Sequence, residues 1–115
     1  MVIRDSFVHH SGQLGISGVG DDVLVEQNEI AENGISGFSP ECAVSGTKFV
    51  KTRGLIVRGD YVHHNLGRGL WTDIDSLFED NLVGLHDAEG ITYEISYAAT
   101  IWNNTVRYNG LRFDV

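Results

Sequence analysis

The chain has 115 residues, of which 8 are basic and 16 acidic, so its formal net charge is −8 and its isoelectric point is near 4.8. This balance argues against a nucleic-acid partner, because binding to phosphates depends on clustered Lys and Arg. The length suits one small domain, and no apolar run reaches the length of a membrane span. No hydrophobic secretory region follows Met1.

Five segments of the chain share one pattern of short apolar stretches separated by Asn, Asp or Gly. In chain order they begin at Val2, Val23, Leu55, Leu77 and Thr100. Alternation of apolar and polar residues, interrupted by turn-forming residues, predicts short strands, and no segment has a helical period of useful length. Each repeat contains three such strand-sized pieces.

The repeats align at five positions. The first is an apolar anchor: Ile3, Val25, Val57, Phe78 and Ile101. Three residues after the anchor is a polar residue: Ser6, Asn28, Asp60, Asn81 and Asn104. Two residues further on is an aliphatic residue: Val8, Ile30, Val62, Val83 and Val106. The next polar position is Ser11, Asn33, Asn65, His86 and Asn109, and a Gly followed by an aliphatic residue comes after it: Gly15-Ile16, Gly34-Ile35, Gly69-Leu70, Gly90-Ile91 and Gly110-Leu111.

The anchors are 22, 32, 21 and 23 residues apart, a period typical of solenoids. Three strands per coil and the absence of a Leu-dominated consensus favour a parallel β-helix of about five coils over a leucine-rich repeat. The single long interval predicts a loop insertion at residues 38–49 within one domain, 1–115. The Asn and Asp positions are expected at corners, where these residues tolerate left-handed backbone angles and can bond along the stack.

Neither end of the repeat array has a recognisable cap, so each would expose an unpaired layer of strands. Two interpretations follow: the chain associates with copies of itself through these ends, or it is part of a longer solenoid. A non-catalytic assembly domain is therefore one functional hypothesis.

Several motifs carry a resemblance to a known family. The stretches Gly69–Asp75 (GLWTDID), Leu77–Asn81 (LFEDN), Gly90–Tyr97 (GITYEISY) and Ile101–Gly110 (IWNNTVRYNG) resemble right-handed parallel β-helix repeat proteins of the pectin-lyase-like superfamily. The resemblance implies a right-handed coil and polysaccharide as a substrate class, since known members are lyases, hydrolases and epimerases. Such relatives are often exported. Neither of their catalytic motif sets (N-x-D with D-D, G-H-G and R-x-K, or D-P-H-D) is found in this sequence, in which Asp21-Asp22 is a bare pair at a corner.

The repeat register singles out one candidate face. If Leu70, Ile91 and Leu111 point into the core, the residue directly after each of them points out. The residue three positions after each of them also points out. This predicts two neighbouring outward columns: Trp71, Thr92 and Arg112, and Asp73, Glu94 and Asp114.

Three interpretations of these columns compete. The first is a solvated acidic face balanced in part by Arg112. The second is a carbohydrate platform on which Trp71 stacks against a sugar, with Thr92, Arg112 and Asp114 as substrate-binding residues. The third uses Asp73 and Glu94 as a catalytic acid pair, or the oxygen cluster as a calcium site, because paired carboxylates serve both purposes. No other cofactor and no resident metal are predicted.

Two further groups of residues are interpreted as having no catalytic or metal-binding role. His9-His10 and His63-His64 occupy equivalent corners, but coil two stands between them with Ala31 and Glu32, which is too far for sharing one ion without help from Glu32. Cys42, the single cysteine, is interpreted as a buried or half-buried thiol of the insertion. The sequence thus predicts a β-helix with a saccharide-binding or saccharide-processing face.

Overall fold

The computed structural model describes residues 1–34, 45–84, 90–107 and 111–114; for residues 73–76, 93–99 and 111–114 it describes the backbone only. These residues form strands and turns, with no helix among them. The strands are β1 (Val2–Arg4), β2 (Phe7–His9), β3 (Leu14–Asp21), β4 (Leu24–Glu26), β5 (Glu29–Ala31), β6 (Ser45–Arg58), β7 (Tyr61–His63), β8 (Leu70–Glu79), β9 (Leu82–Gly84), β10 (Ile91–Trp102), β11 (Thr105–Arg107) and β12 (Leu111–Asp114).

All strand pairs are parallel and fall into two sheets. One runs β1-β4-β6-β8-β10-β12, with β3 also paired to β6, and the other runs β11-β9-β7-β5-β2. Strands β6, β8 and β10 are long because each continues from the third piece of one coil into the first piece of the next. In β6, Thr47 pairs with Ile16 of β3, whereas Val57 pairs with Val25 of β4. Each coil therefore has the three strand pieces that the repeat predicts.

The predicted register is confirmed at both apolar positions. The anchors pair as Ile3↔Val25, Val25↔Val57, Val57↔Phe78 and Phe78↔Ile101. The second aliphatic position pairs as Val8↔Ile30, Ile30↔Val62, Val62↔Val83 and Val83↔Val106. The anchors and aliphatic residues of coils two to four are 0% exposed and form the core together with Ile16, Val23, Phe49, Leu55, Leu70 and Ile91. Burial of this continuous apolar stack is the main favourable contribution to folding.

The corner Asn residues form two hydrogen-bonded ladders. In the first ladder (Asn28, Asp60, Asn81 and Asn104), each side-chain Oδ1 accepts a hydrogen bond from a backbone amide of the preceding coil. In the second, Asn33 accepts from the amide of Ser11, and Asn65 from that of Asn33. Buried backbone groups at the corners thereby gain partners that the strands do not supply.

The left-handed residue at each corner is the one before the ladder position, which corrects the expectation that the Asn itself would adopt this conformation. Positive φ occurs at Asp5, Gln27, Gly59, Asp80 and Asn103 at the first corner and at His10, Glu32 and His64 at the second. Because the turn is completed one residue earlier, the following Asn is free to point its amide into the coil. All eight are polar residues or Gly, and most are Asp, Asn, His or Gly, the residue types that adopt this conformation most readily.

The boundary of the insertion differs from the predicted one. Ser45 pairs with Leu14 and Thr47 with Ile16, so residues 45–49 are regular strand, and Phe49 is 0% exposed in the core. The extra residues of coil two thus lie between Gly34 and Ser45. Residues 35–44, which include Phe38, Val44 and Cys42, lie outside the described part of the chain.

The two outermost coils are less buried than the others. Ile3 and Val8 in coil one, and Ile101 and Val106 in coil five, are only partly buried, although they pack against the core. Val2 and Phe7 of coil one are both 54% exposed. Among the described residues, no helix has the length and apolarity that crossing a membrane requires.

Candidate functional site

The backbone places the three candidate carboxylate residues side by side. Asp73 in β8 pairs with Glu94 in β10, and Glu94 pairs with Asp114 in β12. Adjacent strands are about 4.8 Å apart, so consecutive members of this column, hereafter the carboxylate column, lie at roughly that backbone spacing. It comprises Asp73, Glu94 and Asp114, whose side chains lie outside the described part of the structure.

The neighbouring column has the predicted register but is not an open surface. Trp71 pairs with Thr92, and Thr92 pairs with Arg112. Trp71 is 5% exposed and Thr92 is 1% exposed, so the expectation that both would face solvent is corrected. Trp71 is not a member of the core cluster, because the residues before and after it occupy the inner side of the strand.

Two cations contact the ring of Trp71. The Nζ atom of Lys48 lies 3.4 Å from the ring centroid, and the guanidinium carbon of Arg68 lies 4.2 Å from it. Both distances fit cation–π interactions. Arg68 is itself only 5% exposed, whereas Lys48 is half-buried, so Lys48 is the cation of this cluster that reaches solvent.

Thr92 contributes a buried polar atom beside this cluster. Its hydroxyl oxygen makes no hydrogen bond to the residues that the structure describes. A buried hydroxyl without a partner is costly, and Thr52 shares this property, so it does not by itself mark a site. Thr92 lies in register between Trp71 and Arg112.

The two histidine pairs form a second polar surface, on the sheet that contains β2, β5 and β7. His9 and His63 are both in register with Ala31, which lies between them as predicted. Within each pair the two Nδ1 atoms face each other, at 2.9 Å for His9 and His10 and at 2.7 Å for His63 and His64.

Two glutamates of coil two hold the outer nitrogen of one ring in each pair. The Nε2 atom of His63 lies 2.9 Å from Oε1 of Glu29, and the Nε2 atom of His10 lies 3.0 Å from Oε2 of Glu32. The histidines therefore make specific contacts, and the interpretation of them as plain exposed corners is incomplete: His63 is half-buried, and the other three are exposed.

A family model described as "right handed beta helix region" matches residues 1–112. The match covers almost the whole chain and agrees with the parallel coils described above. The chain belongs to the right-handed β-helix family. Comparisons with curated proteins and with solved structures found no match.

Membership of this family establishes the fold of the β-helix, whereas its function depends on its own side chains. The described residues include no group of three or more His, Cys, Asp or Glu side chains that could hold a metal ion.

Lys48 and Arg68 are the residues of this β-helix that sequence reasoning did not assign to the site. Lys48 was placed in the insertion, and its strand register with Trp71 becomes visible only once residues 45–49 are aligned with β3 and β8. Arg68 precedes the strand and lies in a bridge with Ser45, a contact that the repeat pattern does not contain.

Proposed function

We propose that this β-helix binds a polysaccharide along the face formed by the carboxylate column and the column of Trp71, Thr92 and Arg112. The observation that carries the proposal is the shared register, which brings residues from β8, β10 and β12 into two adjacent rows. A surface that repeats at the strand spacing suits a ligand that is itself an extended chain of repeated units.

The burial of Trp71 changes the role that this residue takes in the proposal. Its ring is contacted by Lys48 and Arg68 and is 5% exposed, so a sugar does not stack on it. Trp71 instead positions Lys48, the half-buried cation beside the rows. A cation at this place would offset part of the repulsion between the carboxylate column and a uronic acid chain, and it would bind a carboxylate of that chain by a charge-assisted hydrogen bond, which is one of the stronger kinds.

Asp73 and Glu94 are the candidates for catalysis. Paired in register on adjacent strands, they lie close enough to act as an acid and a nucleophile on either side of a glycosidic bond, the roles that two neighbouring carboxyl groups take in retaining enzymes. Arg112 and Asp114 extend the two rows onto β12 and would contact the next sugar unit.

The test is a binding and turnover screen with the full chain. Oligogalacturonate and oligoalginate are titrated by calorimetry beside neutral cello-oligosaccharides, and product formation is followed by reducing-end and unsaturated-uronate assays. Lys48→Gln should weaken binding of the uronic acid chains roughly tenfold. Lys51→Gln, the same change at an exposed position of the same strand, is the matched control and should bind as the wild type does.

Catalysis is tested separately from binding. Asp73→Asn and Glu94→Gln should abolish any turnover and retain binding. Absence of binding by the wild type to all of these oligosaccharides would contradict the proposal, and unchanged turnover in both variants would remove these residues from the mechanism.

A second candidate function is assembly, which the partial burial of the outermost coils favours. Ile3, Val8, Ile101 and Val106 would become fully buried if one copy stacked on another in register, as their equivalents in coils two to four already are. Light scattering across a concentration series tests this. A monomer at all concentrations, unaltered by Val8→Asp, would contradict it.

A further inference from the structure

The left-handed corner brings two consecutive histidine rings together. Successive residues of a strand point to opposite faces, so neighbouring side chains do not normally meet. Here His10 and His64 have φ values of 56° and 50°, and each ring packs edge-on against that of the preceding histidine, with centroids 5.1 and 5.0 Å apart. The same arrangement occurs twice, two coils apart.

The hydrogen bonds assign the protons in each pair. A carboxylate only accepts, so Nε2 of His63 donates to Glu29, and Nε2 of His10 donates to Glu32. In the neutral ring this leaves a lone pair on Nδ1 of His63 and of His10. That lone pair faces the Nδ1 atom of the neighbouring histidine, which carries the only hydrogen between the two rings.

We propose that each histidine pair chelates one divalent d-block cation, Cu²⁺ fitting best, between its two Nδ1 atoms. When the ion binds, the hydrogen on Nδ1 of His64 or His9 moves to Nε2 of the same ring, so both rings stay neutral and both present lone pairs to the metal. The chain supplies two ligands per ion, and water completes the coordination.

Ligand chemistry favours Cu²⁺ among the divalent first-row metals. Imidazole nitrogen suits Cu²⁺, which has the highest affinity of the series and prefers a square-planar geometry that two adjacent nitrogens and water can fill. The observed distances of 2.7 and 2.9 Å are those of a hydrogen bond between the rings, so the two nitrogens are close enough to share one ion once that hydrogen has moved.

The glutamates complete the arrangement that metal-binding histidines usually have. An imidazole bound to a metal commonly donates its other ring N–H to a carboxylate, which fixes its orientation and raises its basicity. Glu29 has this relation to His63, and Glu32 has it to His10. Since Ala31 separates His9 from His63, the pairs form two separate sites and do not share one ion.

The His63–His64 site should bind more tightly than the His9–His10 site. His63 is held on both sides, because its ring stacks on Tyr61 at 4.0 Å and its Nε2 atom contacts Glu29. In the other pair these two restraints fall on different rings: Phe7 stacks on His9, and Glu32 holds His10. The His63 side chain is 14% exposed and that of His10 is 58% exposed. Binding an ion therefore costs less side-chain conformational entropy at His63.

The experiment titrates Cu²⁺ into the full chain, with calorimetry for stoichiometry and electron paramagnetic resonance for the ligand set. We expect two ions per chain, each with the hyperfine pattern of two nitrogens. His64→Gln should leave one ion, bound at the weaker site, and His9→Gln should leave one ion, bound at the tighter site. Glu29→Gln should weaken the tighter site by about tenfold and leave the other unchanged.

The controls use the remaining histidine and a different metal. His86→Gln should retain two ions, and Mg²⁺ should not bind, because it prefers oxygen ligands. Circular dichroism establishes that each variant is folded before its titration. Unchanged stoichiometry in the His9→Gln, His64→Gln double variant would overturn the proposal, and so would a single ion that either substitution alone abolishes.

Discussion

Asp60 accepts two hydrogen bonds from Asn28 through one of its carboxyl oxygens, while its other carboxyl oxygen is buried without a partner. The backbone amide and the Nδ2 atom of Asn28 lie 2.8 and 3.0 Å from Oδ1 of Asp60. Oδ2 is among the buried polar atoms that make no hydrogen bond. Burial raises the pKa of Asp60 to about 7, with a smaller contribution in the same direction from Glu26, and the hydrogen bonds from Asn28 oppose the rise.

The other positions of the ladder indicate which group lies opposite the second oxygen of Asp60. In the coils that follow, Nδ2 of Asn81 donates to the carbonyl of Val57, and Nδ2 of Asn104 donates to that of Phe78. The equivalent carbonyl for Asp60 is that of Val25. A protonated carboxyl group can donate a hydrogen bond there as the amide does, whereas an ionised one places two oxygens against each other.

The stability of the wild type should therefore fall as pH rises from about 4 to about 7. The folded protein binds a proton at Asp60 that the unfolded chain, with a pKa of 3.8, releases, so the stabilising contribution is complete below 3.8 and is lost as pH passes about 7. Asp60→Asn removes this dependence and should be more stable than the wild type at pH 8, by at most about 4 kcal/mol.

Urea denaturation at several pH values measures the effect. The quantity of interest is the difference in unfolding free energy between variant and wild type, because other carboxyl groups contribute equally to both curves. Asp5→Asn makes the same change at an exposed corner and should follow the wild-type curve. Parallel curves for Asp60→Asn and wild type between pH 4 and pH 8 would show that Asp60 has no such role.

Asn81→Ala should destabilise the fold by about 3 kcal/mol, because it leaves several buried groups without partners. Asn81 accepts from the amide of Asp60 at 2.9 Å and donates to the carbonyl of Val57 and to Oδ1 of Asn104, each at 3.0 Å. Thr105→Ala, an exposed neighbour, should cost less than about 1 kcal/mol. Equal losses of unfolding free energy in thermal or urea denaturation would mean that the ladder contributes nothing specific.

The repeat predicted the stacking register well because its apolar anchors and its Asn residues recur at nearly constant spacing. Ile3, Val25, Val57, Phe78 and Ile101 all pair as aligned. The exception is the insertion: Gly34-Ile35 resembles the repeated Gly-aliphatic pair, but the stacked pair of coil two is Gly46-Thr47, in which Thr replaces the aliphatic residue. The sequence pattern alone could not show that Gly46-Thr47, and not Gly34-Ile35, is the stacked pair.

The environment of the candidate site was less predictable than its register. Alternation along the strand predicts the side on which Trp71 lies, but its burial depends on Lys48 and Arg68, which come from other parts of the chain. The contacts between the histidine rings likewise depend on left-handed corners at His10 and His64, and the repeat pattern placed the left-handed conformation one residue later, at the Asn position.

Gly46→Ala should be strongly destabilising because a Cβ atom has no room at this position. It would lie 2.8 Å from Nδ2 of Asn65 and 2.9 Å from the carbonyl oxygen of Gly69, so the second ladder would have to shift. Overpacking of this kind costs typically about 1 to 3 kcal/mol. Ser17→Ala, on an exposed position of β3, is the comparison and should change the melting temperature little. If Gly46→Ala and Ser17→Ala have equal melting temperatures, the second ladder accommodates the added Cβ atom without loss of stability.

Arg68 and Trp71 should be energetically coupled, with a coupling energy of about 1 to 2 kcal/mol, because a desolvated cation–π contact is stronger than an exposed one. The guanidinium carbon lies 4.2 Å from the ring centroid, and both residues are 5% exposed. The measurement is a double-mutant cycle of unfolding free energies with Arg68→Gln, Trp71→Leu and the double variant. The cycle separates this pair from the other interactions of each residue.

Arg53→Gln combined with Trp71→Leu is the control, because Arg53 is exposed, and its effect should add to that of Trp71→Leu. Additive effects for Arg68 as well would mean that the contact contributes no stability, and the positioning role of Trp71 in the proposed binding face would then rest on Lys48 alone.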